Sequence, residues 1–68
     1  MGSNWVIRKE NTNKYFGWET NYGPAWVSLT EAHRFSKKQE AIESISVPVA
    51  VELCEIDSDF NIIKIEKY

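Results

Sequence analysis

The apolar positions of the chain fall into five short runs of strand character and one stretch with helical spacing. Trp5 to Glu10 reads as a strand, and the turn formers Asn11-Thr12-Asn13 follow it. Lys14 to Glu19 reads as a second, aromatic strand, so the two predict a β-hairpin. Gly17, set inside that second strand, predicts a bulge or a close backbone approach. Thr20 to Pro24 is a loop punctuated by Gly23-Pro24, and Ala25-Trp26-Val27 is a short third strand. Ser28-Leu29-Thr30-Glu31 has the form of a capping box, in which a hydroxyl and a carboxylate each satisfy an orphan backbone donor. It predicts one helical turn through Ala32 and His33, after which Phe35 returns a ring to the core.

Ser36-Lys37-Lys38-Gln39 is a second capping-box pattern and opens the one full helix, about Lys37 to Ser46. Ala41, Ile42 and Ile45 share one face of it. So short a helix is marginal alone and must pack on a sheet. Val47-Pro48 ends it, because the residue before proline disfavours the α region. Val49 to Ile56 is a strand with Val49, Val51 and Leu53 on one face and Ala50, Glu52 and Cys54 on the other. Asp57-Ser58-Asp59 is a turn, and Phe60 to Lys67 completes a hairpin as the last strand. The order βββ, helical turn, α, ββ predicts an α+β domain: one helix packed on an antiparallel sheet of four to five strands. A helical crossover also leaves parallel pairing of an early with a late strand open. One compact domain is expected over residues 4–68, with 1–3 as a disordered start or cloning remnant.

Composition narrows how such a fold holds together. A single core in a chain of 68 residues rarely supplies more than about 3–5 kcal/mol. Cys54 is the only cysteine and His33 the only histidine, so neither an internal disulfide nor a four-ligand zinc site can help. No metal or other cofactor is expected. Stability must then come from an efficient core or from self-association, and a homodimer is one possible form. The three Trp, three Tyr and three Phe serve either route, since each ring can bury about 150–250 Å². The net charge of −2 argues against a general polyanion binder. No apolar run is long enough to span a membrane and no secretory leader pattern is present, so a cytoplasmic location is expected.

Catalytic chemistry finds few candidates. His33 lies in the predicted helical turn beside Arg34, Cys54 lies mid-strand where packing explains it, and Asp57 and Asp59 are good turn formers. There is no phosphate-binding glycine loop, no CxxC and no HExxH. The chain is therefore expected not to be an enzyme. Lys37 and Lys38 at the helix start oppose its dipole, as an ordinary solvated face would tolerate.

The sharper feature is the cluster Trp5, Tyr15, Phe16, Trp18, Tyr22 and Trp26. Tyr15 and Phe16 are neighbours in a strand and face opposite sides, with Trp18 on the side of Phe16. Rings on both faces mean either a sheet covered on both sides or a face that shows aromatics to a partner. The candidate binding residues are Tyr15, Phe16, Trp18, Tyr22 and Trp26. A protein-contact or self-association surface fits them, because Trp and Tyr are enriched at interface hot spots. The alternative is a stacking platform for nucleic acid or a small nucleotide, built on Tyr15, Trp18 and Trp26 near Arg8, Lys9 and Lys14. Glu10, Glu19 and the acidic balance count against it.

Trp5-Val6-Ile7, Asn13-Lys14-Tyr15-Phe16, Trp26, Glu31-Ala32-His33-Arg34-Phe35 and Gln39-Glu40-Ala41-Ile42 together make a pattern over about residues 4 to 45. In that pattern the chain resembles small accessory proteins of phages and prophages. The resemblance brings no catalytic residues. It implies a non-catalytic protein of host takeover, regulation or counter-defence, such as a defence-system inhibitor, that binds a host protein in the bacterial cytoplasm.

Overall fold

The computed structural model describes residues 3–19, 23–45 and 50–68. Residues 20–22 of the loop predicted over Thr20 to Pro24, the end of the predicted helix at Ser46 and the Val47-Pro48-Val49 segment lie outside the described residues; Gly23 and Pro24, read as loop, instead open the third strand, paired with Glu19 and Trp18. The elements are β1 (Asn4–Lys9), β2 (Tyr15–Glu19), β3 (Gly23–Val27), a 3-10 turn (Leu29–Glu31), α1 (Lys38–Glu43), β4 (Val51–Ile56) and β5 (Ile62–Lys67). They form one five-stranded sheet in the order β3-β2-β1-β4-β5, antiparallel throughout. This is the α+β arrangement that the sequence predicts. The parallel option is not taken: β1 pairs antiparallel with β4 from Asn4↔Ile56 to Lys9↔Val51.

That central pair is buried on both faces, since adjacent residues point to opposite sides of a sheet. On one face Ile7, Val51 and Leu53 meet Phe35 and Ala41, with Trp5, Phe16, Trp26, Ile42 and Ile45 packed around them. On the other, Val6, Cys54 and Ile56 meet Tyr15 and Ala32, with Leu29 and Phe60 around them. The first face is covered by α1, the second by the 3-10 turn and Phe60. Glu52, read as a polar position, is buried, and Arg8 opposite it donates from Nε to Glu52 Oε1 at 2.8 Å.

The predicted β1–β2 hairpin exists only at its tip. Thr12 closes the turn by donating Oγ1–H to Lys9 O at 2.8 Å, Asn11 adopts φ 61°, and Lys9 N–H donates to Lys14 O at 2.9 Å. Arg8↔Tyr15 is the single ladder pair. Beyond it the strands part, and residues 33–35 lie between them. His33 N–H donates to Phe16 O at 3.0 Å, while Trp5 and Phe35 exchange two backbone bonds of 2.8 Å. The chain thus passes from the face of Ala32 to the face of Phe35 through the sheet, with its backbone groups satisfied on both sides.

Both predicted capping boxes differ in detail. Ser28 and Glu31 bond to each other, Oγ to Oε1 at 2.9 Å, and neither caps the backbone; the turn stops at Glu31, short of His33. The helix starts one residue late, with Lys37 at the N-cap, because Ser36 Oγ is spent on Glu40 Oε1 at 3.0 Å. It covers Lys38 to Glu43, and Ala41 is its one fully buried side chain. Ser3, expected in a disordered start, donates its hydroxyl to Glu55.

The β4–β5 turn follows its prediction. Asp57 Oδ1 accepts the Asp59 and Asn61 amides at 2.8 and 2.9 Å, and Oδ2 accepts from Asn61 Nδ2 at 3.2 Å. Phe60 sits at φ 64° and turns its ring onto the Val6 cluster, where Arg34 lies 5.3 Å above it. Above all the Asn61 amide holds the Asp57 carboxyl below its usual range. The unfolded chain therefore binds more protons in the acid window, and this contribution is present at neutral pH and lost as the pH falls below about 4. Replacing Asp57 by Asn is expected to flatten the acid limb of stability against pH, measured by urea unfolding at a series of pH values; an unchanged slope would refute this role.

Gly17 makes the close approach and not the bulge, since the β2–β3 register runs unbroken from Tyr15↔Val27 to Glu19↔Gly23. A Cβ there would stand 2.6 Å from Val27 Cγ2 and 3.2 Å from Glu31 O. Gly17→Ala is expected to destabilise by about 1–3 kcal/mol, as overpacking does. In a Val27→Ala background the cost shrinks because the clashing methyl is gone. Equal costs in both backgrounds, from denaturant midpoints, would sink this account.

Candidate functional site

The helix rests on β1 and β4 and leaves the same face of β2 and β3 uncovered by it. Cross-strand pairing puts Phe16 opposite Trp26 and Trp18 opposite Pro24 on that face. Phe16 and Trp18 meet edge to face, 5.8 Å between centroids at 70°. Phe16, Pro24, Ala25 and Trp26 line a shallow pocket of about 70 Å³. Phe16 and Trp26 are half-buried and lean on the Ile7 cluster, so the core fixes their positions. Trp18 is 59% exposed and stands at the open end of the row.

Two cations border the rings. The Lys9 ammonium lies 5.9 Å over the Trp26 ring and the Lys38 ammonium 5.8 Å over Trp5. Lys38 is also ion-paired with Glu66 of β5. Arg8 is on the opposite face, held by Glu52 beside Tyr15, and its hydrogen bond to Glu52 raises its pKa above the ordinary value.

The predicted binding residues therefore separate. Phe16, Trp18 and Trp26 come together on one surface. Tyr15 does not join them: it is 4% exposed, in the Val6–Cys54 cluster on the other face, because the 3-10 turn covers its side of β2. Tyr22 lies outside the described residues. Sequence reasoning missed Pro24, although it lies two positions from Trp26 along one strand and so on the same face. Lys9 lies near the rings as the sequence reading has it, but Lys38 over Trp5 was missed, because that contact joins a strand and a helix distant in sequence.

The candidate chemical groups are placed as packing and turn residues. His33 is exposed, with its ring edge-on to Phe35 at 4.6 Å. Cys54 is fully buried, and burial pushes its thiol pKa up. Among the described residues no cluster of His, Cys, Asp and Glu could hold a metal ion, and no helix is long and apolar enough to cross a membrane. Comparison with family models, with curated proteins and with solved structures returned no match.

A buried, protonated thiol is a poor nucleophile. Cys54 is expected to be inert toward a thiol reagent such as DTNB in the folded protein and to react fully in denaturant. Prompt stoichiometric labelling of the native protein would contradict this placement.

Proposed function

We propose that the protein is a non-catalytic binding module, a phage-type accessory protein that binds and modulates a host protein in the bacterial cytoplasm through its aromatic face. The observation that carries this reading is the exposed Trp18 ring, set beside the Phe16–Trp26 pocket and held by strands whose other face is packed. A large ring standing next to a small apolar pocket offers a partner both an anchor and a socket. The strands are ordered before binding, so little conformational entropy is lost on contact. The resemblance to small phage proteins supports the choice of a host protein as partner, and a defence-system component is one such target.

A nucleotide-stacking role draws support from Lys9 over Trp26. It is the weaker reading, because Tyr15 is in the core, Arg8 is held by Glu52 on the other face and Lys38 is engaged with Glu66.

Trp18→Ala is expected to leave stability within about 0.5 kcal/mol, as surface changes do. The same change should weaken binding to a host partner, captured from bacterial lysate by the wild-type protein, by at least about 2 kcal/mol, some thirtyfold. Capture of that partner by Trp18→Ala and Trp26→Ala variants as efficiently as by wild type would remove the aromatic face from the reading. Tryptophan quenching by oligonucleotides at low salt, with no protein partner recovered, would replace the protein reading with the nucleotide one.

A further inference from the structure

Among the described residues β5 is an edge strand with β4 as its neighbour, and its blunting is partial: a bulge at its start and the lysines Lys64 and Lys67. Ile63 is 57% and Ile65 47% exposed. Natural sheets blunt such edges, and the opposite edge here carries Pro24, which has no amide to offer. Past the bulge the open edge of β5 still offers donors and acceptors, from Lys64 to Lys67. Tyr68 N–H donates to Val51 O at 3.3 Å, so the backbone of Tyr68 faces β4. Because backbone groups alternate in direction along an antiparallel strand, Ile65 and Lys67 turn their N–H and C=O groups outward.

We propose that this edge pairs with the same edge of a second copy of the protein, antiparallel about a two-fold axis at Ile65, joining the two sheets into one. Outward groups must meet outward groups, which admits two-fold centres at residue 64, 65 or 66. A centre at Lys64 sets that lysine against its own copy, and a centre at Glu66 does the same with two carboxylates. Both place like charges directly opposite, which destabilises a strand pair. A centre at Ile65 sets Lys64 against Glu66 of the second copy, and Glu66 against its Lys64. It also sets Ile65 against itself. Ile65 and its copy form the backbone-bonded pair at the centre of this register, exchanging two hydrogen bonds. The strand Ile63-Lys64-Ile65-Glu66-Lys67 is thus complementary in charge to itself in one register only.

The ammonium of Lys64 already lies 3.1 Å from Glu66 along its own strand, so these two groups share the face on which the second copy's pair would arrive. Ile65 lies opposite Cys54 on the other face, and Ile62, paired with Ile56 beyond the bulge, shares it. There the exposed Ile65 side chains of the two copies meet directly. A lysine on an edge strand deters indiscriminate pairing. Here Lys64 acts as the specificity element, attractive in one register and repulsive in its neighbour.

Sedimentation velocity over a concentration series up to millimolar tests this, with circular dichroism confirming that each variant is folded. The wild type is expected to form a dimer. Ile65→Lys, Lys64→Glu alone and Glu66→Lys alone are each expected to raise the dimer dissociation constant more than about tenfold. Lys64→Glu mixed with Glu66→Lys is expected to give a heterodimer, because one strand is then all acidic and the other all basic at the facing positions. The double variant Lys64→Glu/Glu66→Lys restores complementarity and should dimerise with itself. A wild type that is monomeric throughout overturns the proposal. So does a dimer that survives Ile65→Lys, or one that is lost instead on Trp18→Ala.

Discussion

The parting of β1 and β2 beyond Arg8↔Tyr15 is the constraint on which the rest of the architecture depends. A chain this short cannot add a second layer on each side of its sheet by long crossovers. By placing residues 33–35 between two strands, it moves from one face to the other within a few residues and covers both with short pieces. The hydrogen bonds that β1 and β2 would have shared are kept, because His33 and Phe35 take them. Buried backbone groups without partners would cost more than the detour.

The two faces then divide the work. The face under the 3-10 turn takes Tyr15, Cys54 and Ile56, and at its rim the Arg8–Glu52 pair replaces apolar packing with a charge-assisted hydrogen bond. The face under α1 is covered over β1 and β4 only. A six-residue helix has no length left for β2 and β3, so Phe16, Trp18 and Trp26 keep part of their surface in water. The aromatic surface is thus a result of how little helix there is, and its rigidity a result of the packed face behind it.

The alternating runs made every strand legible, and Asn-Thr-Asn and Asp-Ser-Asp marked their turns, whereas Gly23-Pro24 opens β3 instead of punctuating a loop. Parity also separated Tyr15 from Phe16. It could not say which of them would be covered, because that depends on where Ala32 and Phe35 lie, and contacts distant in sequence decide it. The split between β1 and β2 has no side-chain signature at all: main-chain groups of His33 and Phe35 make it. The caps were misread for a local reason. Ser28 and Ser36 had carboxylates within reach, at Glu31 and Glu40, and bonded to those instead of to the helix backbone. Among the site residues, Phe16, Trp18 and Trp26 could be found by strand parity and Lys9 by its nearness in sequence to the rings, whereas Lys38 above Trp5 could not.

The central β1–β4 ladder joins residues from opposite ends of the chain, Val6 to Cys54 and Ile7 to Leu53. Closing so long a loop is the slow step in folds of this kind, because its entropy is lost before any contact repays it. During synthesis the aromatic β2–β3 hairpin emerges early, while the strand that completes the sheet centre emerges near the end. In synthesis order β1, β2 and β3 therefore precede the strand that completes the sheet centre, and the tryptophans and the β4-facing edge of β1 stay unsheltered until β4 is made.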